Sequence, residues 1–269
     1  MSLPVVILGS GVAALTEALR LRRDEPRVPL LLVDSAPDPG GAIRTLRSEG
    51  FVCELGWQAL WLSEAVGWLV GELGLRAAIV AATHAAPCEL ARLPWLPPRP
   101  AQHAPEPITF RGGLEALAQA ARLELGGASF ALGRPIVAVT EHTVTLGGAI
   151  EREVRAERIV RTPEPSARRP GGVYLGFWDT STRSLEGDSG FVITPDEHRH
   201  LRAALFCSSL WPGRATRGKS LVRFLAEPGG EPEALAADAE RILRERRTIE
   251  GPLLFRRFHP PTGDDPVSS

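Results

Sequence analysis

Residues 5–34 read VVILGSGVAALTEALRLRRDEPRVPLLLVD, and the reading of this stretch decides the fold. Val5 to Leu8 is a short apolar run suited to a buried parallel strand. It leads directly into Gly9-Ser10-Gly11-Val12-Ala13-Ala14. Gly9 permits a tight turn, and Gly11 lets a pyrophosphate approach the backbone. Ala14, in the third position, is small enough for a helix to pack on the strand. That helix is expected from Val12 to Arg23, its free N–H groups and positive dipole end directed at the phosphates. Leu30 to Val33 is the second strand, and Asp34 closes it where a carboxylate accepts hydrogen bonds from a ribose. Strand, turn, helix, second strand and acid together predict a β-α-β dinucleotide-binding unit.

Residues 38–56, DPGGAIRTLRSEGFVCELG, bear on which dinucleotide. Gly40-Gly41, Arg44-Thr45, Gly50-Phe51, Glu54 and Gly56 follow the ribose acid in order. A nicotinamide dehydrogenase has no reason to carry this second glycine pair and arginine. The string resembles the flavin-dependent amine oxidase and protoporphyrinogen oxidase superfamily, in which the GG-x-x-R-T stretch runs along the flavin. Gly56-Trp57 departs from the family's usual Gly-Pro. The resemblance implies FAD as cofactor, with Gly9, Gly11, Ala13, Ala14, Asp34, Ser35, Gly40, Gly41, Arg44 and Thr45 at its site.

Later segments extend the likeness. ITFRGGLEALAQAARLELGG leads from a strand or loop into an amphipathic helix, with Leu114, Leu117, Ala118, Ala121 and Leu125 on one face. RPIVAVTEHTVTLGG alternates like a hairpin, and Ile159-Val160-Arg161-Thr162-Pro163 ends a strand at a proline. In the family the residue at Ile136 offers its backbone to the adenine ring, while Arg161 replaces a usually small residue. The last third resembles the protoporphyrinogen oxidase branch through Leu175-Gly176-Phe177, Gly190-Phe191-Val192 and Ser208-Ser209-Leu210-Trp211-Pro212-Gly213-Arg214. Taken by itself it reads as antiparallel strands followed by a helix from Pro232 to Arg246, with Ser208, Ser209 and Arg214 as strand-end structure rather than catalytic groups.

The expected fold is therefore α/β: a Rossmann-like FAD/NAD(P)-binding domain with a second region built on an antiparallel sheet. The nucleotide domain is expected over residues 1–78 and 108–168, with the second region over 169–258 and a polar tail over 259–269. Seven prolines between Pro87 and Pro107 exclude a long helix there, so residues 79–107 read as a linker. Typical family members carry a helical substrate-binding subdomain at that point, and continue past the equivalent of RRFHPP into a strand and helix start that complete the flavin site. ALWLSEAVGWLVGELGLRAAIV is expected to be helical, with Trp57, Trp61 and Trp68 able to share a face.

Composition narrows the class. A chain of 269 residues can bury a sizeable core, and a net charge of −1 argues against a nucleic-acid-binding surface. Cys53, Cys88 and Cys207 lack CxxC spacing, and MSLPVVILGSG has no basic leader, so reduced thiols in a cytoplasmic protein are expected. No apolar run approaches the ~18 residues of a membrane span. The abundance of Ala, Arg, Pro and Gly suggests a bacterial origin. His198-Arg199-His200 has neither the helical spacing nor the companions of a metal site, and no G-x-S-x-G elbow accompanies the serines. The arginines of RILRERRTIEGPLLFRR read as a solvated helix face.

Two functions from different classes follow. One is an FAD-dependent oxidoreductase acting on a tetrapyrrole-like or amine-type small molecule, with oxygen or a quinone reoxidising the flavin. The other is a catalytically silent homologue or subunit, in which a second copy or partner chain completes the flavin site.

Overall fold

The computed structural model describes residues 3–84, 93, 106–162, 171–178, 185–247, 249 and 251–260. Cys88, Pro163, most of the proline-rich stretch and nearly all of the polar tail lie outside these residues. The elements in order are β1 (Val5–Leu8), α1 (Val12–Asp24), β2 (Leu30–Asp34), β3 (Thr45–Ser48), β4 (Phe51–Glu54), β5 (Leu60–Trp61), α2 (Glu64–Glu72) and β6 (Ile79–Ala81). Then come β7 (Pro107–Phe110), α3 (Glu115–Glu124), β8 (Ser129–Leu132), β9 (Ile136–Val139), β10 (Thr143–Leu146), β11 (Arg152–Arg155) and β12 (Arg158–Arg161). The last group is β13 (Gly171–Trp178), β14 (Gly190–Val192), β15 (Leu201–Phe206), α4 (Cys207–Leu210), β16 (Lys219–Ala226), α5 (Pro232–Arg246) and β17 (Leu253–His259).

The chain forms two compact units. The first comprises Met1–Arg44, Glu64–Ala77 and Glu115–Pro165, and the second Thr45–Ser63, Ala78–Leu114 and Ser166–Ser269. The chain thus crosses between units directly after Arg44, inside the motif string of residues 38–56.

The first unit is built on a parallel sheet of order β12-β1-β2-β8. Apolar β1 takes the central place its composition demands, pairing with β2 on one side and β12 on the other. Helix α1 buries Ala14, Leu15, Ala18, Leu19 and Leu21. Helix α3 buries Leu117, Ala118 and Ala121, as its periodicity predicts. The predicted hairpin is β9-β10, extended by β11 into a three-stranded antiparallel sheet. Its Val144 and Leu146 join Val6 and Val33 of the parallel sheet in one apolar cluster.

The second unit is built on an antiparallel sheet of order β14-β15-β16-β13-β17. Side chains alternate across it. Val173, Leu175, Phe177, Val222 and Phe224 pack on one side with Leu235, Ala239, Ile242 and Leu243 of α5. Tyr174, Leu221 and Leu225 pack on the other with Phe51, Cys53 and Trp211. Gly176 makes room there, since a Cβ would lie 2.5 Å from the Phe51 ring.

One expectation is corrected. The helix expected from residue 59 onward begins only at Glu64, because Leu60 and Trp61 pair as a strand with Ile108 and Pro107. Tertiary pairing outweighs local periodicity there, so Trp57 and Trp61 share no helical face with Trp68. His198 and His200 lie in the loop before β15. The His198 Nε2 meets Asp238 at 3.1 Å, and its Nδ1 accepts the backbone N–H groups of His200 and Leu201.

Candidate functional site

In the first unit the chain turns sharply after β1. Gly9 has φ +99°, a conformation that favours glycine, and its N–H donates to the Val33 carbonyl at 2.7 Å. Gly11 caps α1 with an ordinary φ of −71°. Among the described residues a Cβ at Gly11 would meet the Gly41 Cα alone, at 3.9 Å, so none of them demands glycine at this position. Its missing side chain leaves space over the first turn of α1. No side chain caps that helix and no acid sits in its first turn, while Arg22 and Arg23 occupy the last. The N–H groups and dipole there suit an anion. Ala13 is exposed and Ala14 buried.

Asp34, half-buried at the end of β2, is held by three donors. The backbone N–H and hydroxyl of Ser10 donate to Oδ2 at 2.7 and 2.6 Å, and the Ala36 N–H donates to Oδ1 at 2.9 Å. Ser35 beside it is exposed. The second glycine pair folds back onto the first. Gly40 donates its N–H to the Ser10 carbonyl at 2.7 Å and forms a parallel bridge with Gly11. At Gly41, with φ +59°, a Cβ would lie 2.9 Å from the Gly11 Cα. Arg44 meets Asp38 at 3.3 Å. Ile136 opens β9, half-buried and paired with Leu146 beside a bulge. Gly9, Gly11, Ala14, Asp34, Gly40 and Gly41 are thus gathered around one turn.

Thr45 belongs to the second unit, where it meets a centre that the sequence reading left unassembled. The Glu54 carboxylate is fully buried and accepts three donors: Thr45 Oγ1 at 2.8 Å, the Leu114 N–H at 2.8 Å and Arg214 Nη1 at 2.5 Å. Arg214, 2% exposed, also donates to Thr109 Oγ1 and the Gln58 carbonyl. Gly113, with φ +94°, fits against this group because a Cβ would come within 2.4 Å of Thr45 Cγ2. The Glu54 carbonyl accepts the Tyr174 hydroxyl at 2.6 Å and Arg223 Nη1 at 3.2 Å. Arg223 Nη2 lies 3.1 Å from His259 Nε2. At Gly172 a Cβ would fall within 2.9 Å of both Arg223 and His259, so glycine opens the strand for their meeting.

Burial dominates the electrostatics of this centre. It lowers the His259 pKa to about 3, with the neighbouring Arg223 charge acting in the same direction, so the ring is neutral and accepts from the guanidinium. Burial also raises Cys207 to about 12 and pushes the Cys53 thiol and Tyr174 hydroxyl upward. Both thiols are free and buried. Among the described residues, no cluster of three or more His, Cys, Asp or Glu could hold a metal, and no helix is long and apolar enough to cross a membrane.

A glycine turn at an uncapped helix in a parallel sheet, with an acid closing the second strand, defines the first unit as a Rossmann-like dinucleotide-binding fold. Residues 7–72 match the NAD(P)-binding Rossmann-like domain family. A stretch of 84 residues is 30% identical to coproporphyrinogen III oxidase of Staphylococcus aureus (strain NCTC 8325 / PS 47), covering 31% of this chain and 18% of that protein. The chain thus spans under a fifth of this curated relative.

Solved structures align along nearly the whole chain. A candidate protoporphyrinogen oxidase from Exiguobacterium sp. 255-15 has a TM-score of 0.71 at 13% identity, covering 96% of this chain and 86% of that one. Reduced UDP-galactopyranose mutase has a TM-score of 0.61 at 14% identity, covering 96% and 81%. Putrescine oxidase bound to putrescine has a TM-score of 0.61 at 14% identity, covering 96% and 84%. At these identities the likeness is one of fold. The chain shares the α/β fold of the protoporphyrinogen oxidase and amine oxidase structures, as the sequence resemblance implies.

Proposed function

We propose that this chain is an FAD-dependent oxidoreductase whose first unit holds the cofactor's adenosine and pyrophosphate. The observation that carries this reading is Gly11, a glycine with ordinary φ and no packing neighbour to exclude a Cβ, over an uncapped helix start. A pyrophosphate backed by the α1 dipole accounts for that space. Gly9 and Gly41 give the turn its shape, and the main chain near Ala13 and Ala14 donates to the phosphates. Asp34 accepts from the ribose, with Ser35 beside it. Arg44 supplies a cation that exchanges Asp38 for a cofactor phosphate, and Ile136 completes the contacts on the adenine side.

When bound, FAD supplies hydride acceptance from a carbon next to a nitrogen. A tetrapyrrole-like or amine-type small molecule is the substrate that the likeness to protoporphyrinogen and putrescine oxidases favours. The two free thiols suit a reducing, cytoplasmic setting.

A second reading is favoured by the second unit's chemistry. Its strongly shifted groups, Cys53, Tyr174, Cys207 and His259, are buried in the core or engaged with neighbouring groups, so none stands ready as acid, base or nucleophile. A homologue that binds dinucleotide without turnover, alone or completed by a partner, fits this. Titrating the apoprotein with FAD, NAD and NADP while following Trp fluorescence tests the cofactor, and FAD should bind tightest. Preferential binding of NAD would replace the flavin reading with a nicotinamide one. Turnover near 1 s⁻¹ with an amine or porphyrinogen would support the oxidoreductase over the silent homologue.

A further inference from the structure

We infer that Ser10 restricts Asp34 to a single ribose hydroxyl, so that the protein reads one of the two hydroxyls of an adenosine ribose and ignores the other. The inference rests on the dinucleotide reading of the first unit and adds a specificity-determining residue to it. A carboxylate offers about four acceptor positions. On Asp34 both positions of Oδ2 are taken by Ser10, through its N–H at 2.7 Å and its hydroxyl at 2.6 Å. One position of Oδ1 is taken by the Ala36 N–H at 2.9 Å. The open position is on Oδ1, enough for one further donor.

Ser10 cannot substitute for the lost acceptor. It is 0% exposed, so its oxygen is out of a ligand's reach, and its carbonyl already receives the Gly40 N–H at 2.7 Å. Nor can the hydroxyl turn away readily, because a buried hydroxyl without a partner is costly. The middle residue of a G-x-G turn has no general need of a hydroxyl. Here Ser10 ties the first glycine turn, the acid and the second glycine pair into one rigid acceptor. An alanine in its place would free a position on Oδ2 for the second ribose hydroxyl.

Calorimetric titration of the full-length apoprotein with ADP, 2′-deoxy-ADP and 3′-deoxy-ADP tests this, with FAD as reference. The expected result is that one deoxy analogue binds about 10- to 100-fold more weakly than ADP, the range of a hydrogen bond to a charged group. The other should bind within about threefold of ADP, because its missing hydroxyl makes no bond to lose. Equal losses for both analogues, or none for either, would overturn the inference without any variant being needed. In Ser10→Ala the tolerated analogue should become at least about fivefold weaker than ADP, as a second bond to Asp34 becomes available to lose. If it still binds like ADP, the restriction does not come from Ser10. Failure of both ADP and FAD to bind the unaltered protein would remove the dinucleotide reading, and this inference with it.

Discussion

Replacing Gly11 with alanine should separate cofactor binding from folding. The backbone there has φ −71°, open to any residue, and the new Cβ would sit 3.9 Å from the Gly41 Cα, an ordinary contact. Alanine is a poorer helix cap than glycine, by up to about 1 kcal/mol, but it restricts the unfolded chain by a comparable amount. The net folding change should therefore stay within about 1 kcal/mol, or about 2–4 °C in Tm for a chain of this size. Binding should respond quite differently. The methyl group occupies the space through which a phosphate reaches the α1 N–H groups, and each such charge-assisted bond is worth about 1.5–3 kcal/mol. Losing two weakens FAD by at least about 3 kcal/mol, which is more than a hundredfold in Kd. The assay pairs thermal melting of the apoprotein with FAD titration by Trp fluorescence. Gly41→Ala is the control: at φ +59°, with its Cβ 2.9 Å from backbone, it should lower Tm as well as binding. An unchanged Tm with FAD affinity within about threefold of the parent would refute the assignment, since no phosphate would then pass over Gly11.

In the second unit, Glu54→Gln should destabilise by about 3–5 kcal/mol, measured by urea unfolding, because it strands the buried Arg214 guanidinium. The double variant with Arg214→Met should lose clearly less than the two single changes added together; additive losses would mean the pair does not couple. His259 makes stability pH-dependent, since its folded pKa of about 3 lies below the ordinary 6.5. The unfolded chain binds the extra proton, so this contribution is complete above pH 6.5 and is lost as pH falls toward 3. Between pH 6.5 and 4.5 the loss should be about 2 kcal/mol, and His259→Gln should flatten that slope in urea midpoints. A slope unchanged by the substitution would assign the acid sensitivity to other groups.

The parts of the fold legible in the sequence are those that local chemistry specifies. Val5–Leu8 and Leu30–Asp34 are apolar runs flanking a glycine turn, and α5 spans Pro232–Arg246 as its proline start and periodicity indicate. The start of α2 was not legible. What turns Leu60 and Trp61 into a strand is their pairing with Ile108 and Pro107, almost fifty positions away. Of the candidate site, the glycines and Asp34 could be assigned from spacing alone. Ser10 could not, because its role depends on where its hydroxyl points. The Glu54 centre was seen only in fragments. Thr45, Glu54, Gly113 and Arg214 stand in separate motifs, and their convergence on one carboxylate is a property of the folded chain. Arg223 and His259 carried no local signal, as their partners are carbonyls and each other.

The continuous string from Asp34 to Gly56 therefore carries two kinds of physical information. Up to Arg44 its residues shape and charge the turn of the first unit: Asp34 receives Ser10, Gly40 bridges to Gly11, and Arg44 meets Asp38. From Thr45 onward they build the second unit's interior around Glu54, whose carboxylate takes three donors from within the protein. A chain could keep the second set and its fold while losing nucleotide affinity, or weaken the second unit while the turn still binds. Likeness to oxidases across the whole string thus says less about activity than the state of the first set alone. Gly11→Ala acts on the turn that the first set folds onto and Glu54→Gln on the second set, so their effects on affinity and on stability should be opposite in pattern. If both variants lost FAD and stability in parallel, the two sets would instead form one cooperative structure, and the string would have to be read as a single site.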